Sequence, residues 1–135
     1  MDPKACVFRN FKTFDTRDED GLVDTYTQDC VLIDITQPGK VFGGHDFLRE
    51  YLKETYKVFP DIHIENEHVI SEGHTVAAQF DIVGTHNGEF MGCPASGNLI
   101  RWQTCSFFEM IDSNDRIKKE TYYYDKSSLL AQLRA

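Results

Sequence analysis

Apolar positions recur along the chain with two different periods, and the change from one to the other predicts its architecture. Asp2-Pro3 reads as a helix cap with proline at the first helical position, and Phe8, Phe11 and Phe14 follow at helical spacing, predicting an opening amphipathic helix. Thr16-Arg17-Asp18-Glu19 has capping-box spacing ahead of Leu22, Val23 and Tyr26, the apolar face of a second short helix that ends before Asp29. The β-branched run from Cys30 to Ile35, the turn Gln37-Pro38-Gly39-Lys40 and the return Val41-Phe42 predict a small hairpin. From Asp46, the residues Leu48, Tyr51, Leu52, Tyr56 and Phe59 fall on one helical stripe, which Pro60 terminates.

Beyond Pro60 the period changes to that of strands: Ile62 to Ile70, Thr75 to Thr85, Leu99 to Ile111 and Arg116 to Tyr124, separated by Gly-, Asn- and Asp-containing turns. The tail from Ser127 through Leu130 and Leu133 predicts a further turn or two of helix. Helices first and an antiparallel meander afterwards argue for an α+β fold. At 135 residues, with no internal repeat, linker or low-complexity segment, the chain is expected to form one domain over 1–135.

Composition narrows the functions open to such a domain. Hydrophobic residues make up 41% and charged residues 27%, the balance of a water-soluble globule. No stretch reaches the roughly 18 apolar residues of a membrane span, and Met1-Asp2-Pro3-Lys4 does not open a secretory signal, so a cytoplasmic protein is expected. The net charge of −8, with no run of lysine or arginine, disfavours nucleic acid and anionic membranes and suits a neutral or cationic small ligand. Cys6, Cys30, Cys93 and Cys105 lie far apart without a C-x-x-C pair and are expected as reduced thiols, not as a zinc site or disulfide framework. His63, Glu65 and Glu67 alternate on one strand face but offer no closed ligand set, so no metal is expected.

Strand parity sorts the remaining candidates. Ala78, Phe80, Ile82, Gly84 and His86 share the more apolar face of their strand and are expected to face the interior, with His86 near the pocket mouth. On the next strand Gln103, Cys105 and Phe107 share one face and Trp102, Thr104, Ser106 and Phe108 the other; neither is cleanly polar. Gln103, Cys105 and Phe107 are expected on the pocket wall with Phe80, Ile82 and Tyr124, leaving Trp102 or Phe108 for an outer face that pairs two copies. On the last strand Glu120, Tyr122 and Tyr124 share a face. Asp34 interrupts an apolar run: it either caps the Pro38-Gly39 turn or projects a carboxylate into the cavity.

Phe59-Pro60-Asp61, the segment Gly84-Thr85-His86-Asn87-Gly88-Glu89-Phe90-Met91-Gly92-Cys93-Pro94, and the ending Tyr122-Tyr123-Tyr124-Asp125 with Leu129-Leu130-Ala131-Gln132-Leu133 together resemble the SnoaL-like polyketide and ester cyclase family over nearly the whole chain. The resemblance implies the cone-shaped α+β fold shared with nuclear transport factor 2, ketosteroid isomerase, scytalone dehydratase and limonene epoxide hydrolase, and a dimer through the outer sheet face. It places Asp34 on the general base of ketosteroid isomerase, a system whose pKa tuning is well described; among Phe and Ile side chains such a carboxylate is expected to have a raised pKa. The same resemblance departs from known mechanisms. The oxyanion-hole acid of the isomerase and the pocket histidine of SnoaL both fall on Phe107, the general acid of SnoaL on Tyr122, and the helical tyrosine of the isomerase near Asn10.

Asp34, His86, Glu120 and Tyr122 are therefore expected to carry the chemistry, with Asp61, the residue after a helix-ending proline, expected to be structural in preference to lining the pocket entrance. The function expected is a cofactor-free acid/base cyclase, isomerase or dehydratase acting on a small hydrophobic polyketide- or terpenoid-like carbonyl compound. An epoxide or ester hydrolase, and a ligand-binding dimeric module without catalysis, are the alternatives.

Overall fold

The computed structural model describes residues 1–135 and has the α+β architecture. Helices α1 (Pro3–Asp15), α2 (Glu19–Val23) and α3 (His45–Val58) precede or interrupt the first strands, β1 (Tyr26–Asp34) and β2 (Phe42–Gly43). Four long strands follow, β3 (His63–Glu72), β4 (Thr75–Thr85), β5 (Leu99–Met110) and β6 (Ile117–Tyr124), and α4 (Lys126–Leu133) ends the chain. The four cysteines are free, and no helix is long and apolar enough to cross a membrane.

Asp2 caps α1 by accepting from the Lys4 amide at 2.9 Å. Phe8 departs from the expected stripe: it is 50% exposed, and Cys6, Val7 and Phe11 make the buried face instead. The second helix is capped by Asp18, which accepts from the Gly21 amide, and not by Thr16, which ends α1. Arg17, between them, has φ 60°. The turn it makes lets its guanidinium reach the carbonyls of Ile62 and Pro60, each at 2.6 Å, and lie over the Tyr56 ring. Tyr26, expected on a helix, opens β1.

The sheet is curved and unclosed, in the order β2-β1-β6-β5-β4-β3. From β3 to β6 every pairing is antiparallel, whereas β1 lies parallel to β6, which places the first strand beside the last. Gly43 sits against β1 so closely that an added Cβ would meet the Cys30 carbonyl oxygen at 2.1 Å, which is why the edge pairing of β2 requires glycine there.

Two apolar clusters hold the layers together. The larger unites Val7 and Phe11 of α1, Leu48 and Leu52 of α3, and Phe80, Phe108 and Ile117 of the sheet. The smaller joins the end of α3 to α4 through Val58, Phe59, Ile62, Ile100, Leu129 and Leu133. Asp61 clips the corner after Pro60 to β4, accepting from the Thr85 amide at 2.7 Å and its hydroxyl at 2.6 Å. The helices and the inner sheet face do not meet everywhere, and a cavity of about 450 Å³ remains between them.

Candidate active site

Registered neighbours across the sheet build the cavity wall row by row. Leu32 pairs with Glu120, which pairs with Phe108 and then Val76. In the next row Asp34 lies beside Tyr122, Ser106 and Ala78, and in the next Tyr124 lies beside Thr104 and Phe80. Ile82 and Trp102 form the last. All side chains of these rows stand on one face because strand side chains alternate.

The register corrects the reading of β5. Gln103, Cys105 and Phe107 stand on the outer face: Gln103 and Phe107 are exposed and Cys105 is half-buried. Trp102, Thr104, Ser106 and Phe108 line the cavity instead. The displacement is a single position, enough to turn every side chain to the opposite face. Phe107 therefore does not occupy the place in the cavity that family resemblance implied. Phe80, Ile82 and Tyr124 do line it, as do Asp34, Glu120 and Tyr122. His86 does not. Its ring is fully buried against Phe59, with centroids 6.0 Å apart, and its Nδ1 lies 2.9 Å from the Ser96 hydroxyl, tying the end of β4 to the loop before β5. That leaves three of the four expected chemical residues together.

Of the 29 lining residues 22 are hydrophobic, so the few polar groups have unusual leverage over what the cavity can do. The two carboxyl groups are differently made. Asp34 Oδ1 accepts from the Thr36 amide at 2.9 Å and the Thr36 hydroxyl at 2.7 Å, while Oδ2 accepts from Gln37 Nε2 at 3.0 Å and the Tyr124 hydroxyl at 3.1 Å. Burial alone would push the Asp34 carboxyl up, but these four donors outweigh it and hold the group below the ordinary aspartate range. The expected rise is thus corrected, and Asp34 both ties down the turn after β1 and stands in the cavity wall.

Glu120 has the opposite balance. Oε1 accepts from the Tyr26 hydroxyl at 2.5 Å and Oε2 from the Ser106 hydroxyl at 2.9 Å, which leaves half of the carboxylate's acceptor capacity open. Burial pushes its pKa up, and the two hydroxyls offset this only in part. The phenols of Tyr26, Tyr122 and Tyr124 are all shifted upward, chiefly by burial; Glu120 adds to the shift of Tyr26, Tyr51 and then Asp34 add to that of Tyr122, and a hydrogen bond with Thr36 offsets part of that of Tyr124, so all three remain protonated donors at neutral pH. Thr104 adds a buried hydroxyl with no partner in the protein. Tyr26, Thr104 and Ser106 escaped sequence reasoning, the first because it was read as helical and the other two through the parity of β5.

No curated protein matches the chain in sequence at a significant level. Among solved structures, IdmH of Streptomyces antibioticus, provisionally assigned as a polyketide cyclase, is 22% identical over 100% of both chains with a TM-score of 0.84. AclR of Streptomyces galilaeus, provisionally assigned as a hydroxylase, is 21% identical, covers 97% of this chain and 94% of its own, and has a TM-score of 0.83. A Catenulispora acidiphila protein of ketosteroid isomerase-like fold, solved in complex with trimethylamine, is 16% identical over 94% of this chain and 90% of its own, with a TM-score of 0.75. At such identities the likeness is one of fold. The sequence model of the SnoaL-like polyketide cyclases matches residues 5–133. By that match the chain belongs to the SnoaL-like polyketide cyclase family.

Proposed function

We propose that the chain is a cofactor-free acid/base enzyme that moves a proton on a small hydrophobic carbonyl compound of polyketide or terpenoid type, with Glu120 as the proton carrier. The observation that supports this is the contrast between the two carboxyl groups. Glu120 keeps open lone pairs and an upward-shifted pKa in an apolar cavity, whereas every acceptor site of Asp34 is filled. A base whose pKa approaches the working pH combines availability with driving force.

In this reading an open lone pair of Glu120 takes the proton from a carbon next to the substrate carbonyl. The C–H electron pair becomes the enolate, whose oxygen accepts a hydrogen bond from the cavity hydroxyl of Tyr122, on the same face as Glu120. The enolate then attacks a second carbonyl through its carbon, expels a hydroxyl group from the neighbouring β-carbon, or, where a conjugated double bond spreads its charge, is reprotonated at the far carbon of that double bond. These outcomes correspond to cyclisation, dehydration and isomerisation, and in each Glu120 returns its proton. Tyr26 and Ser106 hold the carboxyl in place. Asp34 acts through Tyr124, which it orients.

The test uses 2-tetralone, a compact bicyclic ketone with acidic α-hydrogens, in D₂O. Protein-dependent α-deuteration, followed by NMR, is expected to exceed the buffer rate. Exchange at the buffer rate, with the ketone shown to occupy the cavity, would contradict the proposal.

The proposal includes a homodimer. The outer face contributing to it is not that of Trp102 or Phe108, which point inward, but that of Phe107 and Tyr123. These two are 43% and 41% exposed and packed edge to face at 6.3 Å, with exposed Ile70 in the same register row as Phe107 and exposed Ile35 in the turn after β1. Sedimentation at micromolar concentration is expected to show a dimer that Phe107→Lys converts to a folded monomer. A wild-type monomer would contradict it.

A further inference from the structure

The cavity is charged in one sense only. None of its lining residues is lysine, arginine or histidine, while two are carboxylic acids, in a chain whose net charge is −8. An anionic ligand would enter without a partner for its charge, at a large desolvation cost. A cation would find one already in place.

That partner is unusual. The four donors on Asp34 keep it ionised and fixed, yet they also fill the four acceptor positions of a carboxylate. A primary ammonium, which requires acceptors for three N–H groups, gains little from such an anion. A cation whose charge is spread over methyl groups requires no acceptor; it needs only the negative potential and polarisable surface around it.

Aromatic rings supply that surface. Phe42, Phe47 and Tyr51 stack in a row, with successive centroids 5.1 and 6.2 Å apart, and all three line the cavity. Phe42 is the register partner of Leu32, two residues before Asp34, so the row lies beside the strand that carries the carboxylate. Tyr124 is hydrogen-bonded to the carboxylate and Tyr122 is its register partner on the other side. Methylated ammonium groups bind where aromatic faces and a negative charge converge.

We propose that the cavity selects hydrophobic ligands bearing a methylated ammonium group, seated between the Asp34 carboxylate and the Phe42–Phe47–Tyr51 stack. The inference rests on reading the cavity as the ligand site and is independent of the chemistry assigned to Glu120.

Trp102, the chain's single tryptophan, stands on the cavity wall and reports occupancy by its fluorescence. The probes are phenyltrimethylammonium and tert-butylbenzene, which share one shape and differ by nitrogen for carbon. At low ionic strength the ammonium compound is expected to bind about tenfold or more tightly than its neutral isostere. Asp34→Asn should reduce that ratio to about threefold or less, chiefly by weakening the ammonium compound, and Phe47→Leu should also reduce it. Equal wild-type affinities, or a preference that survives both substitutions, would overturn the proposal. Where Asp34→Asn does not fold, the wild-type ratio and Phe47→Leu decide. Calorimetry showing that neither probe binds would overturn both this proposal and the cavity as the ligand site. Equal binding would remove the ammonium preference alone and leave α-deuteration to judge Glu120.

Discussion

Glu120→Gln should slow the α-deuteration of 2-tetralone by about 10²-fold or more, the usual scale for loss of a general acid–base group. Glutamine has the same shape and cannot take a proton. Its carbonyl oxygen can still accept from Tyr26, and the Ser106 hydroxyl can rotate to accept from the new amide, so the cavity wall should survive. The sign of the pKa shift makes the result sharper. A carboxyl whose folded pKa lies above its unfolded value costs the fold stability once the pH exceeds the ordinary glutamate range, because ionisation is easier in the unfolded chain. Removing that charge should leave the melting temperature at pH 7 unchanged or higher. Loss of rate without loss of stability marks a functional group held in an unfavourable setting. A variant that deuterates the ketone at the wild-type rate would remove Glu120 from the chemistry.

Asp34→Asn should show the reverse pattern. An amide in place of the carboxylate turns an NH₂ group toward donors, either Thr36 or the pair Gln37 and Tyr124, and the unpaired polar contact should cost about 1–3 kcal/mol. Turnover should fall by less than about tenfold, since Tyr124 loses its orienting partner while the proton carrier stays. The wild-type pH dependence follows the lowered pKa. The contribution of Asp34 is fully present above the ordinary aspartate range and is lost as pH falls through its lower folded value. Thermal unfolding of the two proteins at pH 7 and in acid checks this, because their melting temperatures should converge on acidification. A loss of 10²-fold or more in rate with little change in stability would instead make the strand-end aspartate the base.

The contrast between these carboxyl groups was only partly legible in the sequence. Periodicity of 3.6 with a terminating proline located α3, and alternation between turn signals located β4 from Thr75 to Thr85. Glu120, Tyr122 and Tyr124 could be grouped because a strand face repeats every second residue. β5 defeated the same reasoning. Its outer face carries Phe107 and its inner face carries Thr104 and Ser106, so neither face is uniformly apolar, and the register is imposed by β4 and β6 instead of by its own pattern. The pKa shift of Asp34 was anticipated with the wrong sign. An apolar run predicts desolvation, but one of its four donors is Tyr124, 90 positions away and brought near only because β1 lies parallel to β6. His86 shows the converse: its parity was compatible with the interior, yet Ser96 and Phe59 hold it in the core beyond the cavity.

The proposed division of labour makes the carboxyl on β6 the proton carrier and the one ending β1 the fixed anion. Carbon-13 NMR titration of protein labelled at aspartate and glutamate side-chain carboxyls measures this directly, with Glu120→Gln and Asp34→Asn assigning the two resonances. Glu120 is expected to titrate above the ordinary glutamate value and Asp34 below the ordinary aspartate value. An Asp34 resonance that titrates above that of Glu120 would contradict the account.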